Sequence, residues 1–260
     1  MSGYYAWKKR PASKRQHEDM VLFAHIRSHF SQSNGTYGSP RMAVELQAQG
    51  FSVGRRRVAR LMKENGLQAR QKRRFKRTTD SHHDSPVFPN LLEQKFAASA
   101  PNRVWGVDIS YIWTTEGWLY LAVVIDLYAR RVVGWATSDR LKKDLALEAL
   151  DRAFILRQPP PSLIHHSDRG SQYCSYEYRK RLKKYRMIGS MSAKGNCYDN
   201  AVVETFFKTI KIELVWRTSF ATRKEATNMI AHSIDDFYNP RRRHSTLGYL
   251  SPIQFENRAA

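Results

Sequence analysis

Between Arg103 and Ser138 three apolar runs follow one another with barely room to turn: "RVWGVDISYIW", "WLYLAVVIDLY" and "RRVVGWATS", joined by "TTEG" and "AR". Their wealth of Val, Ile, Tyr and Trp favours extended backbone, and links this short leave consecutive strands antiparallel. The core of such a chain must be built on a three-stranded meander. After it, "KKDLALEALDRAFILR" places Leu145, Leu147, Ala149, Leu150, Ala153 and Phe154 on one helical face, and "PPPS" ends the helix. "LIHHSD" then reads as a strand, "SYEYRKRLKKY" as a helix and "MIGSMS" as a short strand. "YDNAVVETFFKTIKIELVW" reads as a long helix with Asp199 or Asn200 near its start. This order predicts an α/β domain with a mixed five-stranded sheet and flanking helices.

Three carboxylates stand out against that background. Strand alternation puts Asp108 on one face with Gly106, Ser110 and Ile112, in a run so apolar that the charge needs a hydrogen-bonding neighbour or a metal. Asp168 ends the strand of "LIHHSD", where α/β sheets place functional groups; a turn capped by Asp and completed by Gly170 is the alternative. Glu204 lies among Val202, Val203, Phe206 and Phe207, which predicts that it faces the sheet, with Lys208 and Lys211 on the same helical face. An ordinary Glu–Lys ion pair competes with a functional role there. Together, three carboxylates at one sheet edge suit two divalent cations about 3.5–4 Å apart, the arrangement that activates a nucleophile and stabilises a leaving oxygen in phosphoryl transfer. Hard oxygen donors favour Mg²⁺ over zinc. Asp126 reads instead as structural, pairing Arg130 or Arg131 across the hairpin.

Charge supplies the partner. With 44 Lys and Arg against 23 Asp and Glu, the chain carries +21, which attracts a polyanion through counterion release. Residues 1–80 hold 18 of the cations and five acids. That part reads as three helices with Gly-containing turns, a helix-turn-helix pattern. In "HEDMVLFAHIRSHF", Met20, Phe23, Ala24, Ile26 and Phe30 fall at near-helical spacing. Ser39 and Ser52 serve as N-caps, and Gly50 and Gly66 as stops. In the third helix Val58, Leu61 and Met62 form an apolar stripe, while Arg56, Arg60 and Lys63 form a basic one suited to DNA, or simply to solvent.

The strings "WGVDISYI", "LAVVIDLYARRVVGW", "HHSDRGSQY", "KGNCYDNAVVETFFKTIKIE" and "YNPRRRHSTLGYLSP", with 35 residues between Asp168 and Glu204, carry a resemblance over nearly the whole chain. It resembles the second-reading-frame product (OrfB) of bacterial insertion-sequence transposases, within the DDE transposase and retroviral integrase superfamily. The resemblance implies a ribonuclease-H-like α/β core in which Asp108, Asp168 and Glu204 ligate two Mg²⁺ ions per active site, with Mn²⁺ able to substitute. It implies nicking at transposon ends and attack of the freed 3′-hydroxyl on a second phosphodiester. Lys211, seven residues past Glu204, fits the family's basic position. The implied partners are double-stranded DNA (terminal inverted repeats and target), an upstream-frame protein joined by frameshifting, and further copies of the chain assembled on DNA.

The expected organisation is a basic aromatic arm over 1–18, a helix-turn-helix domain over 19–68, a basic linker over 69–100, the ribonuclease-H-like core over 101–218, and a C-terminal helix with a basic tail over 219–260. Expected DNA contacts are Arg56, Arg60, Lys63, Arg73, Arg74, Lys194, Lys208, Lys211, Arg241, Arg243 and His244. His166 and Asn200 are expected to support the carboxylates from behind, although Asn200 also suits a helix cap. Cys174 and Cys197 near "HHSD" do not follow the spacing of a zinc finger, and Ser167 lacks a nucleophile elbow. No apolar run is long enough for a membrane span and no signal peptide is visible, so a cytoplasmic, nucleoid-associated protein is expected. A non-catalytic regulator that binds the element's ends, and a nuclease of the same fold that cuts without joining, are the rival readings.

Overall fold

The computed structural model describes residues 3–5, 11–69, 87–193 and 197–258, and the chain divides into two compact units, 1–73 and 74–260. In the first, helices α1 (Lys14–Gln32), α2 (Ser39–Ala48) and α3 (Arg55–Glu64) bury Leu22 and Ile26 against Met42, Leu46, Val58, Leu61 and Met62. All three helices end alike. After α2, Gly50 at φ +89° lets Phe51 N–H donate to Leu46 O; after α3, Gly66 at φ +68° lets Leu67 N–H donate to Met62 O. Asn34, at φ +51°, plays the same part after α1, with Gly35 N–H donating to Phe30 O.

Two expectations for this unit change. The N-caps are Gly38 and Gly54 rather than Ser39 and Ser52, and neither offers a capping side chain. The buried seam of α1 runs through Leu22 and Ile26, leaving Met20 exposed at 67%. Helical spacing alone could not choose between two apolar stripes; Asp19 does, because it faces α3 and accepts from Arg57 Nε at 2.7 Å and Arg60 Nη2 at 2.6 Å.

The second unit is a layered α/β structure. Strands β1 (Val104–Thr114), β2 (Gly117–Asp126) and β3 (Arg131–Ser138) form the antiparallel meander, and β4 (Ile164–Ser167) and β5 (Ile188–Met191) extend it in parallel, in the order β3-β2-β1-β4-β5. One face is covered by α4 (Lys143–Arg157), α5 (Ser171–Cys174) and α6 (Tyr176–Lys184), through Leu145, Ala149, Leu150, Ala153, Tyr173, Tyr178 and Leu182 against Trp105, Val107, Val124 and Val133. Gly134 permits this: a Cβ there would lie 2.4 Å from Ala149 O. The other face is covered by α7 (Ala201–Glu213) and α8 (Arg223–Ala231), which continues as a π-helical stretch, His232–Tyr238. Val203, Phe206, Phe207, Ile210, Ala226, Ile230 and Ile234 pack there on Leu121, Val123 and Ile125. The segment from Phe220 onward therefore shares the core of the sheet. A final helix, α9 (Pro252–Asn257), begins at a capping box on Ser251.

Asp126 is fully buried, but its carboxylate is not held by Arg130 or Arg131. It accepts from Asn102 N–H at 2.7 Å and Tyr128 N–H at 3.0 Å, with Arg157 at 3.9 Å, while Arg131 turns to Glu256. Among the described residues no helix is long and apolar enough to cross a membrane.

Candidate active site

β1 pairs with β4 only from Val104 to Gly106, so Asp108 sits two residues past the end of that parallel pairing. Asp168 follows the last residue of β4. The parallel register thus brings both aspartates to the same end of the sheet, the end where α/β proteins open a crevice. Glu204 lies in the first turn of α7, whose Val203 is so close to β1 that a Cβ on Gly106 would stand 2.8 Å from Val203 Cγ2. Glu204 is on the exposed side of the helix rather than against the sheet as expected; Val203, Phe206 and Phe207 take the buried positions.

The three carboxyls share one electrostatic neighbourhood. Burial pushes Asp108 well above the usual carboxylate range, and the charges of Asp168 and then Glu204 push it further, against the Ile109 N–H and Lys211. Glu204 is raised by burial and then by Asp168. Burial lowers Lys211, while the charge of Asp108 opposes that shift. Lys211 Nζ also lies 5.2 Å from the centre of the Tyr111 ring. Among the described residues no group of three or more His, Cys, Asp or Glu side chains stands close enough to hold an ion. The carboxyls therefore feel one another without forming a closed ligand set.

Their supports are specific. Asp168 Oδ1 accepts from Gly170 N–H at 2.9 Å, the turn that was the alternative reading, so the same residue closes a loop and faces the acidic cluster. Asn200 is the N-cap of α7, but its side chain does not cap: Nδ2 donates to Val107 O at 3.2 Å, joining the start of the Glu204 helix to the residue before Asp108. His166 is buried; its Nδ1 meets Ser190 Oγ at 2.9 Å and its Nε2 meets Ser192 Oγ at 3.3 Å, and burial lowers its pKa against the field of Asp199. It braces β4 on β5 rather than reaching the carboxyls. Two residues escaped the sequence reading. Tyr173 is buried beside the cluster, and its hydroxyl is raised well above normal by burial and then by Asp108. Arg242, buried, grips Glu213 at the far end of α7 with Nη2 to Oε1 at 2.6 Å and Nε to Oε2 at 2.8 Å. Only the string "RRRH" marked its neighbourhood, and nothing there separates one arginine from the next.

The expected DNA contacts divide. Arg56 and Lys63 are exposed on α3, and Lys208 and Arg241 are exposed on the second unit. Arg60 instead bonds Asp19 and, at 2.9 Å, Glu64, so it holds α3 to α1. Arg243 Nη1 donates to Tyr249 O at 3.0 Å, and the His244 ring meets Tyr238 edge-on, so both fasten the C-terminal turn. Their positions reflect carboxylates, carbonyls and rings brought in by distant segments. Arg73, Arg74 and Lys194 lie outside the described residues.

Known proteins share this arrangement. An HTH-like domain model matches residues 16–75, and integrase core domain models match 98–197 and 185–252. Transposase InsF for insertion sequence IS3A, from Escherichia coli K12, is 45% identical over 263 residues, covering 99% of this chain and 90% of that one. The chain belongs to the IS3 family of transposases. An uncharacterized 31 kDa protein of insertion element IS600 from Shigella sonnei is 47% identical over 257 residues, 99% of this transposase and 94% of that chain. A simian T-cell lymphotropic virus intasome, solved with PP2A regulatory subunit B56 gamma, superposes with a TM-score of 0.51 at 14% identity, over 89% of this chain and 74% of that one. At that identity the likeness is one of fold, a five-stranded mixed sheet with helices like that of an integrase core. Asp108 and Asp168 thus fall within the first integrase core match of this transposase and Glu204 within the second.

Proposed function

We propose that this transposase nicks the ends of its element and joins the freed 3′-hydroxyl to a second phosphodiester, with Asp108, Asp168 and Glu204 as the ligands of two Mg²⁺ ions. The observation that carries the reading is the parallel register that brings Asp108 and Asp168 to one end of the sheet, with Glu204 in the first turn of the helix packed on β1. An all-oxygen set in which Asp168 raises the pKa of both Asp108 and Glu204 fits a hard divalent cation, because a cation replaces repulsion with attraction. When bound, the ions supply charge stabilisation to the attacking and leaving oxygens of an in-line displacement.

The chain's own groups do the rest. The half-buried setting of Asp108 lowers the local dielectric and strengthens the pull of Lys211 on a phosphate. Lys211, half-buried next to Asp108, offers its ammonium to a phosphate oxygen of the strand being cut. Gly170 and Asn200 hold Asp168 and Glu204 at their stations. Arg56, Lys63, Arg241 and the outlying Arg73, Arg74 and Lys194 track DNA backbones. The partners are the terminal inverted repeats, target DNA, an upstream-frame protein and further copies of this chain, met in the cytoplasm at the nucleoid.

The test is a gel assay on labelled duplexes bearing the element's terminal repeat, with Mg²⁺ or Mn²⁺, comparing wild type and Glu204→Gln with and without the upstream-frame protein. Metal-dependent nicks and joined strands, abolished in Glu204→Gln, are expected. Equal end-binding by both proteins with no cut from either overturns the catalytic reading in favour of a regulator. Cutting without joining assigns a nuclease.

A further inference from the structure

The tip of the β1–β2 hairpin exposes two tryptophans. Trp113 is 60% and Trp118 43% exposed, and they face each other across the two strands as register partners. Their ring centres lie 4.9 Å apart at 76°, and Tyr111 meets Trp118 at 5.1 Å and 86°. Trp113 keeps more than half of its surface in water even within this edge-to-face group. The backbone beneath them is firmly tied. Thr114 Oγ1 donates to Gly117 O at 2.7 Å and Thr115 N–H to Phe220 O at 2.9 Å. Arg223 donates from Nη2 to Glu116 O at 2.7 Å and from Nε to Trp118 O at 3.0 Å. Large aromatic surfaces held out in water on a pinned turn mark a contact site rather than slack in the fold.

The neighbours say what the contact is. Lys211 links the aromatic group to the aspartate end of the sheet, because it lies over the Tyr111 ring and feels the charge of Asp108. Lys211 lies over one ring and Arg223 is bound to the backbone carbonyls of Glu116 and Trp118, in a chain of net charge +21. Exposed ring faces with a cation over one of them, on the strand that carries Asp108, suit a nucleobase on a charged backbone. In duplex DNA the base faces are already stacked on one another, so only an unpaired base has a face to give. We propose that Tyr111, Trp113 and Trp118 form a stacking platform for bases that leave the duplex beside the cut phosphodiester. This deepens the transposase reading and rests on it for the choice of DNA.

The test compares the full chain with Trp113→Ala and Trp113→Phe. Oligo(dT) titrated without metal should quench tryptophan fluorescence, and Trp113→Ala should bind it about tenfold more weakly, within the range measured for removing one stacking ring. Trp113→Phe should retain most of the affinity, and a duplex of equal length should bind all three proteins alike. In the nicking assay Trp113→Ala should be slow on a fully paired end and recover on an end whose bases are mismatched at the cut, where no unstacking is needed. Unchanged oligo(dT) affinity in Trp113→Ala overturns the platform. If the substitution leaves oligo(dT) binding alone but changes the sedimentation of the DNA-free protein, the rings are a contact between copies of the chain and the proposal also fails. Because the oligo(dT) titration involves no chemistry, a wild type that binds through Trp113 but never nicks sinks the phosphoryl-transfer reading and leaves the platform intact.

Discussion

Asn200 joins two pieces of backbone that each lead to a proposed metal ligand: its amide reaches Val107 O, next to Asp108, from the foot of the helix that bears Glu204. Asn200→Ala is expected to leave end-binding unchanged in a gel shift while nicking falls about a hundredfold, since a misplacement of about 1 Å can cost that much. His165 makes a different prediction. It is buried against Tyr178, its Nε2 2.9 Å from the tyrosine hydroxyl, and burial lowers its pKa to about 3. The unfolded chain takes up that proton near pH 6.5, so the stability from a neutral His165 is complete above 6.5 and lost as pH falls toward 3. Urea unfolding from pH 7 to 4 should therefore show a steeper loss in wild type than in His165→Gln, by up to a few kcal/mol. Legibility at this scale depended on where the partner came from. Asp108 and Asp126 look alike as acids in apolar strands, and sequence cannot separate them, because what satisfies Asp126 is the backbone of Asn102 and Tyr128. Asn200 was visible as a candidate, but its acceptor, 93 positions away, was not.

Helix α7 is fastened at both ends, by Asn200 to β1 and by Glu213 to Arg242. Breaking a buried ion pair from one side leaves the other charge stranded, so Arg242→Ala should destabilise the protein by about 3 kcal/mol. Thermal melting should register this as a drop of roughly 6–12 °C for a chain of this size, with part of it regained in the double variant with Glu213→Gln. An unchanged melting temperature would remove Arg242 as an anchor. Elements were far more legible than their faces. The meander declared itself through β-branched and aromatic runs with two- to four-residue links, and the breaks at "PPPS", Gly50 and Gly66 stood where the chain turns. The exposed side of α1 did not, because Met20 and Phe23 are as apolar as Leu22 and Ile26, and the choice between them is made by α2 and α3. The exposure of Trp113 and Trp118 was equally silent, since alternation gives a residue's face but not whether a helix covers it.

At the scale of the molecule, charge and order are the relevant quantities. A net charge of +21 spread over both units predicts steep salt dependence: six neutralised phosphates would weaken DNA binding by about a thousandfold between 50 and 200 mM salt. Fluorescence anisotropy on a terminal-repeat duplex reads that slope, and a flat line would mean that the charge serves something other than DNA. The family was legible because the strings that carry it, all from Trp105 onward, are long, and the two-part layout because basic helical sequence gives way to apolar strands. Beyond these, the connectivity of the sheet gives the molecule a history. β1, β2 and β3 pair with their neighbours in sequence, whereas β4 and β5 join only after crossovers through α4 and α6, and α7 follows all five strands in chain order. Local pairings form faster than distant ones, and synthesis proceeds from the N-terminus. A nascent copy therefore holds Asp108 in place before Asp168 and Glu204 arrive. A copy that stops short of β4 lacks two of the three carboxyls, so under the proposed mechanism the capacity to cut DNA is withheld until α7 has joined the finished sheet.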